Sequence, residues 1–357
     1  QVRFHLKPCR SVVLPLVNNT KMKVMRRAII FLISIVTVSN SIAQNLSSTE
    51  KIEGQSPINI GLNEVNKSFT PPSADFFQLK SGGTTESNIE VTYIDFPEDA
   101  KAAFEYAISI WEHHLNSSVP ITVHAKWESL GNNILAHSRP TEFYKNFDAA
   151  PISNVYYPIA LVEKLSGKEL NNSEEADIVC SFNKNSSWYF GTNGNTSVTS
   201  YDFITVVLHE MAHGFGISGF LSDENGVGEI NNTGNFPSIY DYNVYNSSKQ
   251  RITDNSIFNS PSTELHKQLT SNNLDFGCPG TDCDHGKSSI YVPSSWVSGV
   301  SFYHLKSAQS GSANESELMS AFLYKGAANH NPGINTLNVL FEMGWDSETV
   351  LFQELKD

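Results

Sequence analysis

The sequence predicts an α+β fold. Three observations carry that expectation. Residues 89–96 and 121–127 read as strands, with helical periodicity between them. Residues 176–182 form an apolar run that reads as a central strand. Asp202 then opens an apolar helix, after which residues 222–300 are mostly loop with short elements.

Each element follows from its residues. Residues 1–43 read as upstream sequence and a signal peptide. Lys21, Lys23, Arg26 and Arg27 precede an apolar run over 28–38, and Ser41, Ile42 and Ala43 form an A-x-A-like site, with cleavage expected near Ala43 and Gln44. Met22 or Met25 is the expected start. The apolar run is shorter than the roughly 20 residues of a spanning helix. The expectation is a secreted or otherwise exported protein, extracellular or periplasmic, with no stable membrane span after cleavage. Residues 44–87 are rich in Ser, Asn, Thr, Gly and Pro and read as a linker or short pro-segment. Residues 88–347 read as one domain, and 348–357 as a tail. Pro97 stands at the first turn of a helix whose Ala103, Tyr106, Ala107, Ile110, Trp111 and Leu115 recur at helical spacing. Residues 128–175 give a helix over about 154–166 and several loops. In the helix after Asp202, Phe203, Val206, Val207 and Met211 supply the apolar stripe, and Gly214 or Gly216 ends it. A last helix covers about 335–343.

Composition narrows the function. The chain carries 24 Lys and Arg against 37 Asp and Glu, a net charge of −13, which argues against a nucleic-acid partner. A charged fraction of only 17% argues against disorder. Cys278 and Cys283 flank Pro279, Gly280, Thr281 and Asp282, so a local disulfide is a candidate, with two free thiols the alternative. Cys180 sits in the apolar run and reads as a buried strand residue. Asp223, Glu224, Asn225 and Glu229 are candidate calcium ligands, or else an acidic surface turn.

The chemistry concentrates at residues 209–213. His209 and His213 are four apart on a helix, so both imidazoles share one face and can hold one metal ion. Glu210 is placed to take a proton from a water at that metal. The spacing H-E-x-x-H makes zinc the expected cofactor and Glu210 the candidate general base of a hydrolase. A catalytic zinc takes three protein ligands and one open position. The third ligand is a Glu on a following helix or a more distant His. His304, His266, His285, Asp241 and Glu229 are the candidates, with Asp241 also a carboxylate that could orient a ligand. Tyr303 and Tyr324 are read as packing residues with hydroxyls that could also face substrate.

The stretch from Val297 to His304, the following Glu317, Leu318 and Met319, and the ending Met343, Gly344 and Trp345 resemble the leishmanolysin-like metzincins, bacterial secreted members among them. Gly216 matches the glycine of the compact metzincin pattern H-E-x-x-H-x-x-G-x-x-H, whereas Gly219 stands where that pattern has its third His. The resemblance implies that His304, displaced by a long insertion, is the third ligand and that Met319 is the Met-turn residue. It also implies a metzincin-like domain, with a twisted sheet and the active-site helix in an N-terminal subdomain and a loop-rich C-terminal subdomain. The expected activity is zinc-dependent hydrolysis of peptide bonds in a protein or peptide substrate. The alternatives are an inactive binding or adhesion protein that keeps the zinc site, and a zinc hydrolase of other substrates.

Overall fold

The alternation of Ile121, Val123 and Ala125 with half-buried polar residues builds the strand Ile121–Glu128 at the heart of a four-stranded sheet. In the computed structural model this strand lies parallel to Ile89–Ile94 on one side and to Ile178–Asn183 on the other. Ala136–Pro140 pairs antiparallel with the far side of Ile178–Asn183 and closes the sheet as an edge. The fold is therefore mixed α+β. The structure describes residues 59–65, 67–79, 87–131, 133–172, 175–277, 286–307 and 317–345. The expected signal peptide, Cys278, Cys283, His285 and the tail 348–357 lie outside the described residues. Among the described residues, no helix is long and apolar enough to cross a membrane.

The helix Glu98–His114 packs beside the helix Phe203–Gly214, which also rests on the strands Ala136–Pro140 and Ile178–Asn183. Every residue of Phe203–Gly214 is buried. Its run Ile204, Thr205, Val206, Val207 is β-branched, which disfavours helix by at most about 0.7 kcal/mol per residue. Burying each large apolar side chain returns roughly 1.5–3 kcal/mol, so tertiary packing decides the conformation. Phe203 anchors the start among Phe182, Trp188 and Phe190, with ring centroids 5.1–5.2 Å away. Phe215 anchors the end between Trp111 and Trp345, at 5.2 and 5.5 Å. Both indoles also donate to the backbone here, Trp111 Nε1 to the Leu208 carbonyl and Trp345 Nε1 to the Phe215 carbonyl.

The structure departs from the expected elements in three places. The helix expected over 154–166 begins only at Ile159, because Tyr157–Pro158 is a short strand paired with Phe143–Tyr144. The acidic stretch after residue 220 is a hairpin, Leu221–Glu224 against Val227–Ile230, turned by Asn225 and Gly226 at positive φ. Part of the compositional linker is also built into the fold. Asn59–Val65 pairs parallel with Phe322–Lys325, Phe69–Thr70 pairs with Ala328–Asn329, and Phe76 is buried against Tyr106 and His113. The described residues of 49–357 belong to one compact unit.

Candidate metal centre

Asp202 caps the histidine helix as its sequence position suggests. One carboxylate oxygen accepts from the Thr205 amide at 2.9 Å and the Thr205 hydroxyl at 2.7 Å. The same carboxylate takes the Thr196 hydroxyl at 3.1 Å and His330 Nε2 at 2.9 Å, all of it buried. At the other end Gly216 has φ of 120°, a region closed to most side chains, and an added Cβ would lie 2.8 Å from Pro158 Cγ. The helix is thus fixed at both ends, and His209 and His213 point from one face.

Each imidazole is oriented by a backbone carbonyl. His209 Nδ1 meets the Leu318 carbonyl at 2.8 Å, His213 Nδ1 meets that of Ile217 at 2.8 Å, and His304 Nδ1 meets that of Val300 at 2.7 Å. A carbonyl can only accept, so each Nδ1 carries the proton and each Nε2 presents a lone pair. His209 Nε2 and His213 Nε2 are 3.1 Å apart, and His304 Nε2 has no partner. One nitrogen from each ring lies within 4.8 Å of the others, and all three residues are fully buried. Three lone pairs converging in a dry site repel one another unless a cation sits among them. Protons are a poor substitute. Burial first, then neighbouring imidazoles, hold His209 well below its ordinary range and His304 at about 3, and burial holds His213 at about 4. The donor set is neutral at pH 7, as metal ligation requires.

Glu210 follows His209 in the helix and is fully buried, yet neither carboxylate oxygen has a hydrogen-bond partner. Burial pushes its carboxyl well above the usual range. A buried carboxylate without a protein partner fits a catalytic role or contact with a bound ion or water. Cys180 is a buried strand residue, and burial with the nearby Glu210 carboxylate raises its thiol.

His304 is delivered by a tightly bonded loop. Its carbonyl accepts from the Tyr291 amide, and the next amide, Leu305, donates to the Met319 carbonyl at 2.8 Å. Since Leu318 orients His209, residues 318 and 319 bind to both sides of the centre. Tyr303 donates to Asp241 at 3.0 Å and accepts from the Leu221 amide at 2.8 Å, so its hydroxyl is structural. Asp241 also takes the amides of Phe220 and Ser238, and burial raises its carboxyl to about 6. A Cβ at Gly219 would overlap the Asp241 carboxylate and the Ser238 hydroxyl. The space beside Gly219, the eleventh position of the compact pattern, is therefore taken by the Asp241 carboxylate and the Ser238 hydroxyl, which leaves no room for a side chain at 219.

The structure brings together His209, His213 and His304 and excludes the other described candidates. Asp241 is occupied as above, and His266 pairs with Asp223. Glu229 takes the Ser222 hydroxyl. Nor are Asp223, Glu224, Asn225 and Glu229 gathered for calcium. Cross-strand pairing of Ser222 with Glu229 and of Asp223 with Gly228 puts Asp223 and Glu229 on opposite faces of the hairpin. Tyr324 lies in the strand Phe322–Lys325. Sequence reasoning missed His330 and the orienting carbonyls of Val300, Ile217 and Leu318. Backbone carbonyls carry no residue signature, and His330 had no motif around it.

A family model described as SPBPB7E8-like matches residues 116–279, a span that includes His209, Glu210 and His213 and stops before His304. No curated protein and no solved structure matches the chain.

Proposed function

We propose that the chain is a zinc-dependent endopeptidase of metzincin type, with the long insertion of the leishmanolysin-like arrangement, acting outside the cytoplasm on protein or peptide substrates. The observation that carries the reading is the convergence of three neutral, carbonyl-oriented imidazoles beside a buried carboxylate without a partner. Three nitrogen donors suit zinc and leave its fourth position open. His209, His213 and His304 would hold the ion, and Met319 would serve as the Met-turn residue. The chemistry zinc supplies when bound is Lewis acidity, which lowers the pKa of a water toward about 7 and polarises a carbonyl oxygen.

The chain's own residues do the rest. Glu210 removes the proton from the water that attacks the scissile carbonyl and later delivers it to the leaving nitrogen. Its freedom from protein hydrogen bonds leaves both oxygens available, and burial tunes it toward a base strong enough for that transfer. The three carbonyls that hold each Nδ1–H keep the imidazoles in the ligating tautomer.

The test is hydrolysis of casein by the purified protein, with metal content measured in parallel. Treatment with 1,10-phenanthroline is expected to abolish cleavage, and zinc to restore it. Cleavage that persists at full rate in metal-free protein would refute the reading.

A further inference from the structure

We infer that Glu163, Asp177, Glu169 and Asn171 form a second cation site, made of oxygen atoms alone and suited to calcium. It lies in different elements from the histidine centre and does not depend on the zinc reading. One carboxylate oxygen from each of Glu163, Glu169 and Asp177 lies within 4.8 Å of the others. Calcium binds oxygens at about 2.3–2.6 Å, so opposed ligands stand about 5 Å apart, and this group fits around one ion.

Acidic clusters are common on surfaces, but this one is largely buried. Glu163, in the helix Ile159–Ser166, is 1% exposed and Asp177 is 0% exposed, while Glu169 is exposed at the mouth. Glu163 is held by one oxygen and left open at the other, while both oxygens of Asp177 are held. Glu163 Oε1 accepts from the amides of Leu170 at 2.8 Å and Asn171 at 3.4 Å, whereas Glu163 Oε2 is buried with no partner. Asp177 Oδ2 accepts from the Thr122 amide at 2.8 Å and hydroxyl at 3.1 Å, and Asp177 Oδ1 takes the Asn171 side-chain amide at 2.7 Å. That contact fixes which end of Asn171 is nitrogen, and leaves its Oδ1 as a second buried oxygen without a donor.

Two occupants can neutralise such a group, a proton shared by Glu163 and Asp177 or a cation. Burial and the neighbouring carboxylates do raise Glu163. A single shared proton serves two oxygens, however, and the Asn171 oxygen still has nothing to bind. A cation held by the clustered carboxylates of Glu163, Glu169 and Asp177 would neutralise them together, with Glu163 Oε2 and, through its bond to Asp177, the neighbouring Asn171 Oδ1 as the unpartnered oxygens at hand. The donors are all hard oxygens, which favours calcium over zinc. The bound ion would tie the helix Ile159–Ser166 and the turn after it to the start of the central strand Ile178–Asn183, and through Thr122 to its neighbour.

The experiment is calorimetric titration of chelator-treated full-length protein with calcium chloride, together with thermal unfolding with and without calcium. One site is expected, with Kd on the order of 10⁻⁴ M, and Tm is expected to rise. Glu169→Gln removes one exposed ligand and is expected to weaken binding about tenfold. Glu163→Gln, which keeps the acceptor for Leu170 and Asn171, is expected to abolish the calcium response. The inference is overturned if the wild type shows neither binding heat nor a Tm rise, or if both variants respond to calcium like the wild type. It is also overturned if the wild type ignores calcium while Glu163→Gln raises Tm in its absence, which is the signature of a shared proton. None of these readouts involves peptide hydrolysis, so failure here and failure of the zinc reading are separable.

Discussion

Replacing Glu210 by Gln separates the chemistry of this site from its folding. The side chain keeps its volume and loses only its charge and basicity. Because neither oxygen of Glu210 accepts a hydrogen bond, the change strands no partner in the protein. The amide is as unpaired as the carboxyl it replaces, and burial already pushes that carboxyl toward its neutral form, so the stability of metal-free protein is expected to change by less than about 1 kcal/mol. At about 2–4 °C per kcal/mol for a chain this large, the Tm of metal-free protein should hold to within about 4 °C. The loss of a positioned general base lowers kcat/KM by about 10²–10⁴-fold, equivalent to about 3–5 kcal/mol of transition-state stabilisation. Casein hydrolysis and calorimetric unfolding on the same preparations read both quantities. Undiminished hydrolysis would remove Glu210 from the mechanism, and a fall in Tm matching the loss of activity would make it a structural residue.

Four further outcomes follow from the geometry. His304→Ala removes one of three converging nitrogens, strands the Val300 carbonyl at a cost of about 1–3 kcal/mol and leaves a small cavity, so the protein should be destabilised yet stay folded while its zinc content and activity fall; full zinc by mass spectrometry would place the third ligand elsewhere. Asp202→Ala removes the helix cap, worth about 1 kcal/mol, and strands buried groups of His330 and Thr196 at about 1–3 kcal/mol each; urea unfolding showing a loss below about 1 kcal/mol would contradict the network. Gly219→Ala drives a methyl into the Asp241 carboxylate and should cost about 1–3 kcal/mol, with an unchanged Tm refuting the close packing. In calcium-free buffer, Glu163 rises from 4.5 to about 8 on folding, mainly through burial. The folded state then holds more protons between those values, so its stability is fully present below about pH 4.5 and lost as pH rises through about 8. Tm measured against pH should show this loss in the wild type and not in Glu163→Gln, and calcium should suppress it; a wild-type Tm that climbs relative to the variant over that range would refute it.

What the sequence reveals is what local periodicity encodes. The strands at 89 and 121 and the capped helix after Asp202 are legible because their apolar spacing matches one period. The edge strand Ala136–Pro140 is not, because the face it buries carries Ala136, Ser138 and Pro140, which have no apolar pattern to detect. Asn59–Val65 is invisible for another reason. Its partner lies more than 250 residues along the chain, and composition alone suggests a linker. The hairpin after Leu221 did carry an Asn225-Gly226 turn signal, which the surrounding acidic residues obscured. At the site, helical geometry makes His209, Glu210 and His213 readable together. His304 is reachable only through resemblance, since nothing in its neighbours announces a ligand. Asp241 looks like a possible ligand in sequence and becomes a support for Tyr303 once Gly219 admits its carboxylate.

The carbonyl that orients His209 belongs to Leu318, 109 residues further on. Synthesis at about 5–20 residues per second puts roughly 5–20 s between the two. For most of that interval a growing chain presents two imidazoles of the centre without His304, and to its end the chain lacks the backbone that steers His209. On the peptidase reading proposed above, this delay would keep the emerging polypeptide from cutting its own unfolded segments and those of its neighbours. On the same reading, order of synthesis is a safeguard, because a product cut short before His304 would lack the third imidazole.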